Sequence, residues 1–328
     1  MAGLGGLLNG NITQFLAGQF HDHGYHVVIV PNSFQSRFAY AASTTGYVGA
    51  SSEDAKDMHS GMLKILENLR VDKKVTIDKT YLIGYSMGAL CAAYISELDA
   101  RQKTLGVEKT ILINTPVDLA HGMRTLDGFK AESKGIGLFR KIRFALRLQN
   151  AKEKAESRPL SAATVAEYRK TVKSLKTKEL AFVVGTALAR PLKKLVMSTQ
   201  DIHNLGVLPG IKGHDYPKRY DAAKRFTFID YGEKILTPFY SKLTGDKTLT
   251  FAKISDQASL PALEDYLAGS STIYLMHNRD DFLLRDGDIE YLEELFGERS
   301  RVFSTGGHLG NIWRPENVQQ ILSWLKGK

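Results

Sequence analysis

Apolar positions along this chain follow two rhythms. Compact apolar runs at 26–31 (His-Val-Val-Ile-Val-Pro), 81–84, 109–114, 271–276 and 301–304 read as buried strands. Between them lie stretches with helical spacing. The clearest is the stripe Met58, Met62, Ile65, Leu66 and Leu69, which predicts a core-facing helix opened by a capping box at Ser51-Ser-Glu-Asp54. Helices are also predicted over 11–20, from 87 to about 100, over 286–296, and over 315–325, the last with Pro315 at its first position. Residues 32–50 are polar and glycine-containing and read as a loop. Strands alternating with helices at this spacing predict a parallel sheet covered on both faces.

From about residue 118 to 260 the rhythm stops. Residues 139–148 form a basic amphipathic pattern, with Phe139, Ile142 and Leu146 on one face and Arg140, Lys141, Arg143 and Arg147 on or beside the other. Residues 163–178 and 178–197 also read as helical, the second broken by Pro191, and 231–249 is aromatic and polar with Pro238 at a turn. The expected organisation is a core in two parts, 1–118 and 261–328, around a mainly helical basic insertion over 119–260.

Charge sharpens this division. The chain carries a net charge of +9 over 328 residues, and residues 121–250 hold 26 Lys and Arg against 12 Asp and Glu. Such a segment suits an anionic membrane surface or an acidic substrate. No nucleic-acid-reading motif accompanies it, and no nucleic-acid partner is expected. The single cysteine, Cys91, excludes an intrachain disulfide and reads as a buried small hydrophobe. His21, His23 and His26 lack the regular spacing of metal ligands, and neither a metal nor a cofactor is expected. No apolar run approaches the roughly 18 residues needed to span a bilayer. The compartment is left open.

The stretch 81–90 carries the strongest chemical signal. An apolar strand runs into Gly84-Tyr-Ser86-Met-Gly88 and then into a helix rich in small residues. This is the form of a nucleophile elbow, with glycines where a Cβ would strike the neighbouring strand or helix and a serine exposed at the tip.

Three motifs in order, Gly84-x-Ser86-x-Gly88, the Asp280-Asp281 turn after a strand, and Gly306-Gly-His308 after the next, resemble the α/β-hydrolase superfamily. The Gly-Leu-Gly-Gly start and the Gly-Gly-His-Leu-Gly310 end are similar to its esterase- and lipase-like branch. The resemblance implies an α/β-hydrolase fold with a large helical cap and a serine hydrolase acting on an acyl ester, favouring a lipid-like one. It also implies that the glycine turn at 3–6 is an oxyanion loop whose preceding strands are absent from the start of the chain. Carried over to this sequence, Ser86 would be the nucleophile and His308 the base. Asp281 would orient the base, with Asp280 as the alternative, because Asn278 stands where the family pattern has glycine. Backbone amides of Met87 and Leu4 would form the oxyanion hole. A small-molecule or lipid ester is the expected substrate, with a peptidase, thioesterase or acyltransferase possible on the same residues. The rival reading is a non-catalytic protein that binds a membrane or partner through its basic cap.

Overall fold

The computed structural model describes residues 1–6, 8–132, 177–210 and 213–327, together with scattered positions between 136 and 146. Four parallel strands, β1 (Thr80–Tyr85), β2 (Val107–Ile113), β3 (Ile273–Asn278) and β4 (Ser300–Phe303), form a sheet in the order β1-β2-β3-β4. Ile83 lies opposite Ile111, Leu112 opposite Leu275, and Met276 opposite Arg301, so all four strands end on the same side. The two-residue alternation of side chains explains why these runs are apolar throughout. Leu82, Leu112 and Leu275 face one helical layer, while Tyr85, Ile111, Ile113 and Met276 face the other.

The first layer contains α3 (Ser51–Val71) and α4 (Met87–Gln102); the second contains α1 (Asn11–Asp22) and the C-terminal α13 (Pro315–Lys326). α4 is buried along almost its whole first three turns, including Cys91. Its small residues let it lie directly on β1 and β2.

The described part of the excursion from β2 to β3 is mainly helical, as expected. Its described helices are α5 (Leu119–Glu132), α6 (Thr177–His203), α7 (Tyr216–Ala223), α8 (Phe228–Tyr231), α9 (Thr237–Thr244), α10 (Phe251–Ala258) and α11 (Glu264–Gly269). α12 (Asp288–Phe296) links β3 to β4. Of the basic pattern at 139–148, residues 139, 140, 142–144 and 146 are described and helical. Phe139, Ile142 and Leu146 are exposed and Phe144 is buried; Lys141, Arg147 and Leu148 lie outside the described residues. The helix expected over 163–178 lies outside them up to residue 176. Among the described residues no helix is long and apolar enough to cross a membrane.

Several expectations are corrected. Residues 26–30 form no strand of the sheet, and Val27 and Val28 are 37% and 44% exposed. The expected loop at 32–50 contains a short helix, α2 (Ser36–Ala41), which packs on α6. The capping box does not form, because Ser51 is already helical and its hydroxyl donates to the Ala258 carbonyl at 2.8 Å. Asp54 instead accepts from Gly49 N–H at 3.0 Å. In the α3 stripe Met58 and Met62 are buried, but Ile65 is exposed and Leu66 and Leu69 only half-buried. Pro191 does not break α6, whose flanking residues Leu192, Leu195 and Val196 are held in the core. Pro238 lies not in a turn but within a continuous helical stretch over 228–244, just after the π-helical segment Gly232–Leu236. His59 is buried against Asp99.

Candidate functional site

The site gathers at the C-terminal ends of the four strands. β1 ends in a turn so tight that Ser86 adopts φ 55° and ψ −130°, a strained combination for any residue with a side chain. Such a conformation costs roughly 1–3 kcal/mol and persists only where packing over-determines it. The packing is visible at the two glycines. A Cβ on Gly84 would lie 2.2 Å from the Gly88 carbonyl oxygen, and one on Gly88 would lie 2.5 Å from the carbonyl oxygens of Met1 and Ala2. Strand and helix can cross here only without side chains.

Ser86 is 93% buried and its Oγ lies 2.8 Å from Nε2 of His308, on the loop after β4. Nδ1 of His308 donates to Oδ2 of Asp281, on the loop after β3, also at 2.8 Å. With Nδ1 carrying the proton, Nε2 is free to accept the serine hydroxyl proton. The structure thus brings Ser86, His308 and Asp281 into one hydrogen-bonded line. Asp280 does not join it: its Oδ1 accepts from the backbone N–H groups of Gly306 and Gly307 at 2.8 and 2.6 Å, which holds the histidine loop in place.

Asp281 is nearly enclosed. Burial by itself would raise its pKa, but hydrogen bonding and charge from His308 and the Leu283 N–H at 3.0 Å more than offset this and hold it below the usual carboxylate range. Asn114, at the end of β2, adds a donor to Oδ2 at 2.8 Å. Its φ of 47° is tolerated by asparagine better than by most residues. Asn278 then ties the loops together, donating to the Gly307 carbonyl at 2.8 Å and exchanging bonds with Asn311 at 2.9 and 2.7 Å. Beneath this network His277 is fully buried, and burial pushes its pKa down, keeping it neutral.

Asn114, Asn278 and Asn311 were not singled out as functional from the sequence. Asn114 reads there as the end of a strand and Asn278 as a departure from glycine. The available signal was an amide at the C-terminal tip of each of two neighbouring parallel strands.

The N-terminal turn lies against the serine. A Cβ on Gly3 would fall 2.8 Å from Ser86 Cβ, and Leu4 and Met87 both line a cavity of about 60 Å³ beside Ser86. The remaining walls are apolar, among them Phe34, Met123, Leu126 and Phe228. The Gly3 carbonyl accepts from Asn32 Nδ2 at 2.6 Å and from Gly6 N–H at 2.9 Å. Because a trans peptide points its C=O and N–H in opposite directions, the Leu4 N–H is turned away from Asn32. Met87 N–H belongs to the first turn of α4, where amides have no intrahelical partner.

Comparison with known proteins bears on the fold. No curated protein sequence matches the chain. Among solved structures, VinJ matches at 12% identity over 99% of this chain and 88% of its own, with a TM-score of 0.43. The thioesterase domain from the curacin biosynthetic pathway matches at 14% identity over 81% of this chain and 73% of its own, with a TM-score of 0.30. The rice cell wall degrading esterase LipA from Xanthomonas oryzae matches at 18% identity over 88% of this chain and 63% of its own, also with a TM-score of 0.30. These likenesses are too distant to carry activity across. A family model described as the alpha/beta hydrolase fold matches residues 5–315, nearly the whole sequence. The chain belongs to the α/β-hydrolase fold family.

Proposed function

We propose that this protein is a serine hydrolase that cleaves a carboxylic ester through an acyl-enzyme. The observation that carries the proposal is the line Ser86 Oγ, His308 Nε2 and Nδ1, Asp281 Oδ2, with both contacts at 2.8 Å. A serine hydroxyl is a poor nucleophile until a base takes its proton, and a neutral imidazole held by a carboxylate does this at neutral pH.

In the proposed reaction, Ser86 Oγ attacks the ester carbonyl carbon as its proton passes to His308 Nε2. The carbonyl π electrons move onto oxygen, and the resulting oxyanion is held by the N–H groups of Met87 and Leu4, each donor contributing about 3 kcal/mol to barrier lowering. Collapse breaks the bond to the alkoxy group, which leaves with the proton from His308. Water then repeats the sequence on the acyl-serine and releases the carboxylic acid. Asp281 stays ionised throughout and stabilises the imidazolium. The apolar walls of the cavity between the serine and α5, Met123 and Leu126 among them, favour an apolar acyl group over a polar one.

A fluorophosphonate probe tests this reading. Labelling of the wild-type chain that disappears in Ser86→Ala supports it; no labelling of folded wild-type protein sinks it.

A second element concerns location of the substrate. Phe139, Ile142 and Leu146 are 91%, 50% and 55% exposed on a basic helix, the arrangement of a segment that lies in an anionic membrane interface. We infer that this face docks the enzyme on such a surface. Hydrolysis of long-chain p-nitrophenyl esters should then rise with anionic liposomes, and Phe139→Asp should remove the rise; equal rates with and without liposomes would overturn the docking.

A further inference from the structure

The cavity beside Ser86 lies on one particular side of the proposed reaction. Four groups surround the carbon of the tetrahedral intermediate. One is Ser86 Oγ, one is the oxyanion, and one is the alkoxy oxygen that takes the proton from His308. Ser86, Met87 and Leu4 line the cavity, and His308 does not. The group that enters it is therefore the fourth, the acyl chain.

α5 forms one wall of this space. Leu119, Gly122, Met123 and Leu126 line it, spaced as one face of a helix. Gly122 is buried in the helix interior, where glycine is disfavoured relative to alanine. Packing does not demand it there, since a Cβ would meet only Leu283 Cδ2, at an ordinary 3.9 Å. Two other glycines of the excursion are demanded by packing. A Cβ on Gly185 would fall 2.7 Å from the Lys130 backbone nitrogen, and one on Gly232 would run into the Phe251 ring. What the missing side chain at 122 keeps is open room inside the cavity.

Two rings limit that room. Phe34 and Phe228 are buried and meet with ring centroids 5.9 Å apart. Tyr231 stands edge-on against Phe34 at 5.5 Å, fully buried, with its hydroxyl donating to the Val48 carbonyl at 2.7 Å. The Phe228 N–H donates to Asp127 Oδ1 at 2.9 Å. Both rings are held from behind, so this wall does not yield without breaking those contacts. The enclosed volume is about 60 Å³. An apolar cavity of about 150 Å³ accepts benzene, and at that volume per carbon this one holds roughly two or three carbons.

We propose that the cavity restricts the enzyme to short acyl groups, propionyl or butyryl in size, and that Gly122 and Phe228 set the limit. The proposal rests on the ester-hydrolase reading above and narrows its substrate class. Liposomes change where an ester is presented and not what the cavity holds, so the order of chain lengths is the same with and without them.

The test measures kcat/KM of the 328-residue chain for p-nitrophenyl acetate, butyrate, hexanoate and octanoate, in which only the acyl end changes. Butyrate should be the best substrate and hexanoate about tenfold poorer or worse, the discrimination an apolar pocket makes against a misfitting methylene. Gly122→Val fills the room and should lower the butyrate-to-acetate ratio by about tenfold. Phe228→Ala opens the wall and should raise the hexanoate-to-butyrate ratio by about tenfold. Ratios within one variant do not depend on how much of it folds. Equal kcat/KM across the series, or a rise towards octanoate, overturns the proposal and leaves the hydrolase reading standing. Ratios that neither substitution moves overturn it as well. Absence of both hydrolysis and fluorophosphonate labelling overturns the hydrolase reading, and the proposal with it.

Discussion

Asn114 Nδ2 and His308 Nδ1 donate to the same oxygen, Oδ2 of Asp281, each at 2.8 Å. The amide therefore shares with the imidazole the work of fixing the carboxylate, from a neighbouring strand. Asn114→Ala removes a hydrogen bond to a charged group, an interaction contributing roughly 1.5–3 kcal/mol. Ester hydrolysis should fall about ten- to a hundredfold in kcat with little change in KM. Asn114→Asp should be worse, because a second carboxylate beside Asp281 raises its pKa. The acidic limb of the pH–rate profile would then move upward, and an unmoved limb would refute the role.

Asp281 also gives a sign to acid stability. Its folded pKa lies below the unfolded value, so its stabilisation is present above the unfolded carboxylate pKa of about 3.9 and is lost as pH falls through the folded value. Asp281→Asn should flatten the Tm-versus-pH curve below pH 4, while the wild type continues to lose stability there.

Asp54 should act in the opposite direction. Burial against Gly49 and α4 pushes its pKa up to about 7, so the folded chain keeps a proton that the unfolded chain releases. Stability should fall as pH rises from about 4 to about 7 and level off above that. Asp54→Asn keeps an acceptor for the Gly49 N–H and removes the penalty. Its Tm should exceed that of wild type at pH 8 and match it near pH 4; a parallel pair of curves would refute the assignment.

Gly84→Ala places a methyl carbon 2.2 Å from the Gly88 carbonyl oxygen, where neither backbone can yield cheaply. Denaturant unfolding should show a loss of about 3 kcal/mol or more, the range of severe core strain. Gly3→Ala meets the Ser86 Cβ at 2.8 Å at the edge of the fold and should instead lower fluorophosphonate labelling more than stability.

Pro191 interrupts the hydrogen-bond ladder of a 27-residue helix that continues through it. Proline costs about 3 kcal/mol relative to alanine in a helix interior. Pro191→Ala should therefore raise the midpoint of unfolding while leaving probe labelling unchanged; a lowered midpoint would mean that the ring's packing outweighs the missing bond.

The proposed catalytic residues were legible because each follows a short apolar strand and sits in a turn of characteristic composition. The strand run itself announces where Ser86, Asp281 and His308 will meet. The choice between Asp280 and Asp281 was not legible, since both carboxylates anchor the His308 loop and differ only in whether they meet the imidazole or the glycine amides. Residues 26–31 carry a strand's composition, yet composition does not supply a neighbour, and only Val30 finds one. Pro191 was misread for the complementary reason: local propensity predicts a break, while Leu192, Leu195 and Val196 are buried strongly enough to carry the helix on. Asn32 and Asn114 act through contacts with residues far along the chain, and only the strand end before Asn114 hints at either.

Thr110 and Ile273 are register partners about 160 residues apart, so β2 and β3 can pair only after the whole helical excursion has found its place. Closing so long a segment is slow to be rewarded, and contacts of this kind lower folding rates. The turn at Ser86, by contrast, is packed by residues 1–3 and 80–113, all of which precede the excursion. A newly made chain would thus possess its serine early and acquire last the imidazole proposed to activate it. Chemical competence then becomes a timestamp on maturation: an intermediate halted before β3 docks holds an inert alcohol.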